Sequence, residues 1–83
     1  MTVLEIINGI SEGYSEVIYD SKKYSITKQS FNNSKSFKIF GQELQGNNFI
    51  SLNYYVTSKK EFLKPCEMPE EKVIHFLKNI KFL

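Results

Sequence analysis

The stretch Phe49-Ile50-Ser51-Leu52-Asn53-Tyr54-Tyr55-Val56-Thr57 holds the clearest alternation in the chain. Ile50, Leu52, Tyr54 and Val56 alternate with Ser51, Asn53 and Tyr55. A period of two places the first set on one face of a strand and the second on the other. Gln45-Gly46-Asn47-Asn48 before it and the polar Ser58 to Glu61 after it read as turns. Further upstream, Ser36 to Leu44, Lys23 to Phe31 and Tyr14 to Tyr19 are rich in aromatic and β-branched residues. Asn32-Asn33-Ser34 and Asp20-Ser21-Lys22 separate them. Turns this short force antiparallel neighbours, so the four strands form a meander. Gly41 inside the third strand predicts a bulge or a bend. Phe62-Leu63-Lys64 either adds a short fifth strand or covers an edge of the core.

Helical spacing flanks this block. Val3, Leu4, Ile7 and Ile10 share one stripe, with Thr2 as N-cap. Ser11-Glu12-Gly13 ends that helix, Gly13 supplying a positive φ. Near the other end, Pro69 suits the first position of a helix. Glu70 and Glu71 complement its positive end, and Lys78 and Lys81 its negative end. Val73, Phe76, Leu77 and Ile80 form its apolar stripe. The order is therefore α-β-β-β-β-α. The fold class is α+β, with both helices packed on one face of a four-stranded antiparallel sheet. Residues 24, 26, 37, 39, 50, 52, 54 and 56 would lie under the helices. Ile18, Thr27, Lys38, Phe40, Phe49, Asn53 and Tyr55 would lie on the other face.

Length and composition agree with one small domain spanning residues 1–83. The chain is 41% hydrophobic and 14% aromatic, which excludes a disordered polymer. No apolar run approaches the roughly 18 residues of a membrane helix. The start of the chain lacks the basic residues of a secretory signal. A lone cysteine, Cys66, points to a reducing cytoplasm. Abundant Asn, Ile, Ser and Lys, without Arg or Ala, match the coding bias of an AT-rich bacterial genome. The missing Arg has chemical weight, because Arg is the usual bidentate reader of phosphate and guanine.

Charge is uneven. Residues 1–20 carry Glu5, Glu12, Glu16 and Asp20 and no Lys, whereas residues 21–64 carry eight Lys against Glu43 and Glu61. The net charge of +2 is too small to imply nucleic-acid binding by itself.

The uncovered face is the leading candidate site. Phe40, Phe49 and Tyr55 are large rings whose parity directs them away from the helices, with Lys38 beside them and Lys28 at a strand end. Such a patch can dock a protein or stack single-stranded bases. Phe40 and Tyr55 are expected side by side. The same rings can also be plain cross-strand stabilisers.

Cys66 is the only thiol, and Glu67 follows it. It precedes the second helix by too many residues to gain much from the helix dipole. Glu67, Glu70 and Glu71 would favour the neutral thiol. It reads as a small hydrophobe rather than a nucleophile. His75 follows Glu71 by one helical turn and reads as half of a solvated pair. No metal-ligand set and no phosphate-binding glycine loop is found, so neither metal nor cofactor is expected.

Gly13-Tyr14-Ser15-Glu16-Val17, the run from Phe49 to Tyr55, and Leu63-Lys64-Pro65-Cys66-Glu67-Met68-Pro69 resemble a small bacterial family of uncharacterised chains of about this length. Some of its members carry the label peptide methionine sulfoxide reductase. The resemblance covers nearly the whole chain, and the label implies a thiol chemistry at Cys66, for which Glu67, Tyr54 and Tyr55 match the proton donor and hydroxyl groups of such a site in composition only. This sequence departs from the reductase pattern. The A-type enzymes have Gly-Cys-Phe-Trp at the nucleophile, whereas here Pro65 and Glu67 flank the cysteine and Trp is absent.

The function expected from these residues is a non-enzymatic cytoplasmic binding or structural domain. Its open face would meet a protein partner or a second copy through Phe40, Phe49, Tyr55 and Lys38. The alternatives are a reductase-like enzyme using Cys66 and a weak single-stranded nucleic-acid binder using the lysine block.

Overall fold

A computed structural model describes residues 2–83. Helix α1 spans Val3–Gly9. Strands β1 Gly13–Tyr19, β2 Lys22–Phe31, β3 Ser36–Glu43 and β4 Phe49–Val56 follow. Strand β5 is Glu61–Pro65, helix α2 is Glu70–Asn79 and strand β6 is Lys81–Phe82. All pairings are antiparallel, in the order β5-β4-β3-β2-β1-β6.

The turns follow from local chemistry. Asp20 and Ser21 both take positive φ between the paired Tyr19 and Lys22, giving the two-residue hairpin whose twist matches the strands. Asn32, Asn33 and Ser34 also adopt positive φ between β2 and β3. Thr2 caps α1 through a reciprocal pair. Its hydroxyl accepts from Glu5 N–H at 3.2 Å, and Glu5 accepts from Thr2 N–H at 2.8 Å.

Both helices cover one face, as their stripes require. Ile6, Ile7 and Ile10, with Val73, Phe76 and Leu77, form one core with Val17, Tyr24, Ile26, Phe37, Ile39, Ile50, Leu52 and Tyr54. Ile6, absent from the expected stripe, is buried, whereas Val3 and Leu4 are only partly so.

The sheet has six strands rather than four. Phe62-Leu63-Lys64 belongs to β5, which pairs with β4 from Val56↔Glu61 to Leu52↔Pro65. Ile80 leaves α2 in an extended conformation, and Lys81–Phe82 pairs with Val17 and Ile18 as β6. Lys81 therefore serves the sheet, and Lys78 alone is the basic residue of the last helical turn. Pro69 stands at the N-cap position without a side-chain capping bond, so α2 begins one residue later than expected.

Gly41 marks no bulge. Pairing runs unbroken through Ile26↔Gly41 and Gly41↔Ile50. A Cβ at this position would lie 3.2 Å from Phe76 Cζ, so the glycine admits the ring of α2 close to the sheet.

Candidate interaction face

Because β3 keeps its register through Gly41, the alternate residues of all strands stay on the uncovered face. Paired residues line up across it in rows. Phe62 lies across from Tyr55, Tyr55 from Ser36, and Ser36 from Phe31. The next row is Lys64, Asn53, Lys38 and Gln29. The third is Ser51, Phe40, Thr27 and Tyr14. Phe49, Gln42, Ser25 and Glu16 form the fourth, and Lys23, Ile18 and Lys81 the last.

Phe40, Phe49 and Tyr55 are exposed on this face, as is Lys38. Their grouping differs from the expectation. Phe40 pairs with Ser51 and Tyr55 with Ser36, so the two rings stand four residues apart along the strands, about 13 Å at about 3.3 Å per residue. Phe40 instead stacks with Phe49, centroids 6.1 Å apart and planes inclined by 27°. Tyr55 has Phe62 as its cross-strand partner. The face thus holds two aromatic groups with the Lys38–Asn53–Lys64 row between them. The alternation of β5 was the signal that could have placed Phe62 and Lys64 here.

Two lysines already sit on these rings. Lys72 Nζ is 5.7 Å from the Phe49 centroid and Lys60 Nζ is 4.7 Å from that of Phe62.

Lys28 does not join the face. It shares the parity of Tyr24 and Ile26 and is buried on the helix side. Its ammonium donates to the carbonyls of Ile7 and Ile10, each at 2.8 Å, and lies 5.3 Å from the Phe37 centroid. It closes the C-terminal end of α1, where carbonyls lack helical partners. Desolvation lowers its pKa, partly opposed by the charge of Glu12. The lysines of the middle block therefore do not gather on one side.

Cys66 does reach the open face. Its N–H donates to Ser51 O at 2.9 Å, extending the β4–β5 ladder by one residue. The Asn53 amide lies 3.6 Å from Sγ and donates to it. Cys66 is half-buried. Glu67 is exposed and takes a φ of 60° as the chain leaves the sheet. The thiol's hydrogen-bond partner is thus an amide, not the Glu67 carboxylate.

His75 is held differently from the expected Glu71 pair. Its Nδ1 lies 2.6 Å from the Tyr19 hydroxyl, with the rings edge-on. Among the described residues, no cluster of three His, Cys, Asp or Glu side chains could hold a metal ion. No helix among them is long and apolar enough to cross a membrane.

Comparison of the chain with models of protein families, with curated proteins and with solved structures finds no match in any of the three.

Proposed function

We propose that this chain is a non-enzymatic binding domain, and that its uncovered sheet face docks a protein partner or a second copy. One observation carries the reading. Two helices occupy one side of the sheet, while the other side presents Phe40, Phe49 and Tyr55 to water. Polar alternation alone would keep that side soluble, so grouped rings there are a feature of interaction sites. Lys38 lies in the row between the two ring groups and adds charge selectivity.

The test uses the double variant Phe40→Ala/Tyr55→Ala beside wild type. Sedimentation at rising concentration reads self-association, and affinity capture from a lysate reads a partner. Loss of the associated species in the variant supports the reading. The same species captured equally by both proteins, or the same dimer formed by both, would overturn it.

A further inference from the structure

Charge is sorted between the two sides of the sheet. On the open face the strands carry Lys23, Lys38, Lys64 and Lys81 against Glu16 alone. Glu16 is itself engaged, 3.8 Å from Lys23 Nζ and accepting from the Tyr14 hydroxyl at 2.9 Å. Glu5, Glu12, Glu43, Glu61, Glu70 and Glu71 lie on the helix side or its margin, together with Lys22, Lys28 and Lys78, while Glu67, exposed beside Cys66, and Lys72, over the Phe49 ring, stand at the edge where β5 passes into α2. Lys38 and Lys64 flank Asn53 in one row and have no acidic neighbour in it.

We infer that the partner of the open face is an acidic segment of another protein, one that carries aromatic or aliphatic anchors among its carboxylates. This rests on the open face being the interaction surface. Two alternatives fit the geometry less well. A symmetric dimer whose two-fold axis passes through the lysine row, which runs between the two ring groups, would set that row against its own copy, and like charges across an interface oppose association. Single-stranded nucleic acid needs free ring faces for its bases. Here Phe40 and Phe49 stack on each other, and lysines sit over Phe49 and Phe62. Arg, the cation best suited to phosphate, is absent from the chain. An acidic peptide needs neither. Its carboxylates can meet the ammonium groups of Lys38 and Lys64, and its apolar side chains can rest against the two ring groups.

The experiment titrates the isotopically labelled protein with a random copolymer of glutamate and tyrosine, with polyglutamate, and with oligothymidylate, following amide shifts. The copolymer should bind most tightly, with the largest shifts at Lys38, Phe40, Asn53 and Lys64. Lys38→Glu/Lys64→Glu should weaken it at least about tenfold, whereas Lys78→Glu on α2 should leave it unchanged. Raising salt from about 50 to about 200 mM should weaken binding as well. Because Lys38 and Lys64 are exposed, the milder Lys38→Gln/Lys64→Gln variant provides a second reading should charge reversal disturb the fold. Tighter binding of oligothymidylate would overturn the inference in favour of nucleic acid. Failure of the copolymer to bind, alongside self-association abolished by Phe40→Ala, would overturn it while leaving the open face as the interaction surface. Binding that maps to α1 and α2 would overturn both, and absence of all binding would overturn the acidic partner.

Discussion

The two faces of this sheet are built by the same strands yet obey different rules. On the helix side, neighbouring side chains interlock. Phe76 meets Tyr19 and Tyr24 with centroids 4.8 and 5.4 Å away, and Gly41 gives up its side chain to admit the ring. Close packing of this kind makes each position sensitive to volume. On the open side the rings form two separate groups, Phe40 with Phe49 and Tyr55 with Phe62, and the polar row of Lys38, Asn53 and Lys64 lies between them. The difference teaches that position within a strand, rather than residue type, separates buried rings from exposed ones here. Phe37 and Phe40 share one strand, yet Phe37 is buried and Phe40 is not.

The sharpest way to break the covered face is Phe76→Ala. It empties a fully buried ring site beside a glycine that cannot fill it. A loss of roughly 3–5 kcal/mol is expected from urea denaturation. For a domain of this size, much of the total stability would go. A shift no larger than that of a surface substitution would mean that α2 does not anchor the core.

Lys28→Met comes next. It keeps much of the side-chain volume but withdraws the donor from the carbonyls of Ile7 and Ile10. A loss of about 1–3 kcal/mol is expected, with faster hydrogen exchange in α1. If the variant were as stable as wild type, the lysine would be a tolerated burial rather than a clasp on the helix end.

A smaller effect belongs to Tyr54, a hydroxyl on the covered side. Burial first, and then its hydrogen bond to Glu61, push the phenol up to about 12. An unfolded tyrosine ionises near pH 10. Below that pH both states hold the proton. Between about 10 and 12 the unfolded state loses it first, so stability should fall as pH rises through this window. Denaturation midpoints at pH 8 and 11 should converge in Tyr54→Phe compared with wild type. An equal alkaline loss in the variant would place the effect elsewhere.

Much of the architecture was legible because strand parity is a local signal. The alternation of 24 and 26, 37 and 39, and 50, 52 and 54 identified the buried face, and all seven residues are in the core. What escaped notice depended on distant partners or very short segments. Gly41 has the local mark of a bulge, but its reason is a ring on α2. Two residues such as Lys81 and Phe82 carry no periodicity, so β6 could not be seen in them. Lys28 had the parity of Tyr24 and Ile26, and that alternation could have placed it inside. A charged residue with buried parity is easily read as exposed until a cap such as the end of α1 is known to need it. The separation of Phe40 from Tyr55 required cross-strand register, which parity alone does not supply. Nor did Cys66 look like a neighbour of Asn53 before β5 was seen to run beside β4.

The most direct test of the two-faced sheet lies in one pair of neighbours in β3. Ile39 is fully buried, whereas Phe40, the next residue, is 39% exposed. Urea denaturation of Ile39→Ala and Phe40→Ala under identical conditions compares the faces with the strand held constant. The larger ring should matter less. Ile39→Ala should cost about 2–5 kcal/mol and Phe40→Ala less than about 1 kcal/mol. Equal losses, or a greater loss at Phe40, would show that the open face is part of the folding core and contradict the role in recognition proposed for it.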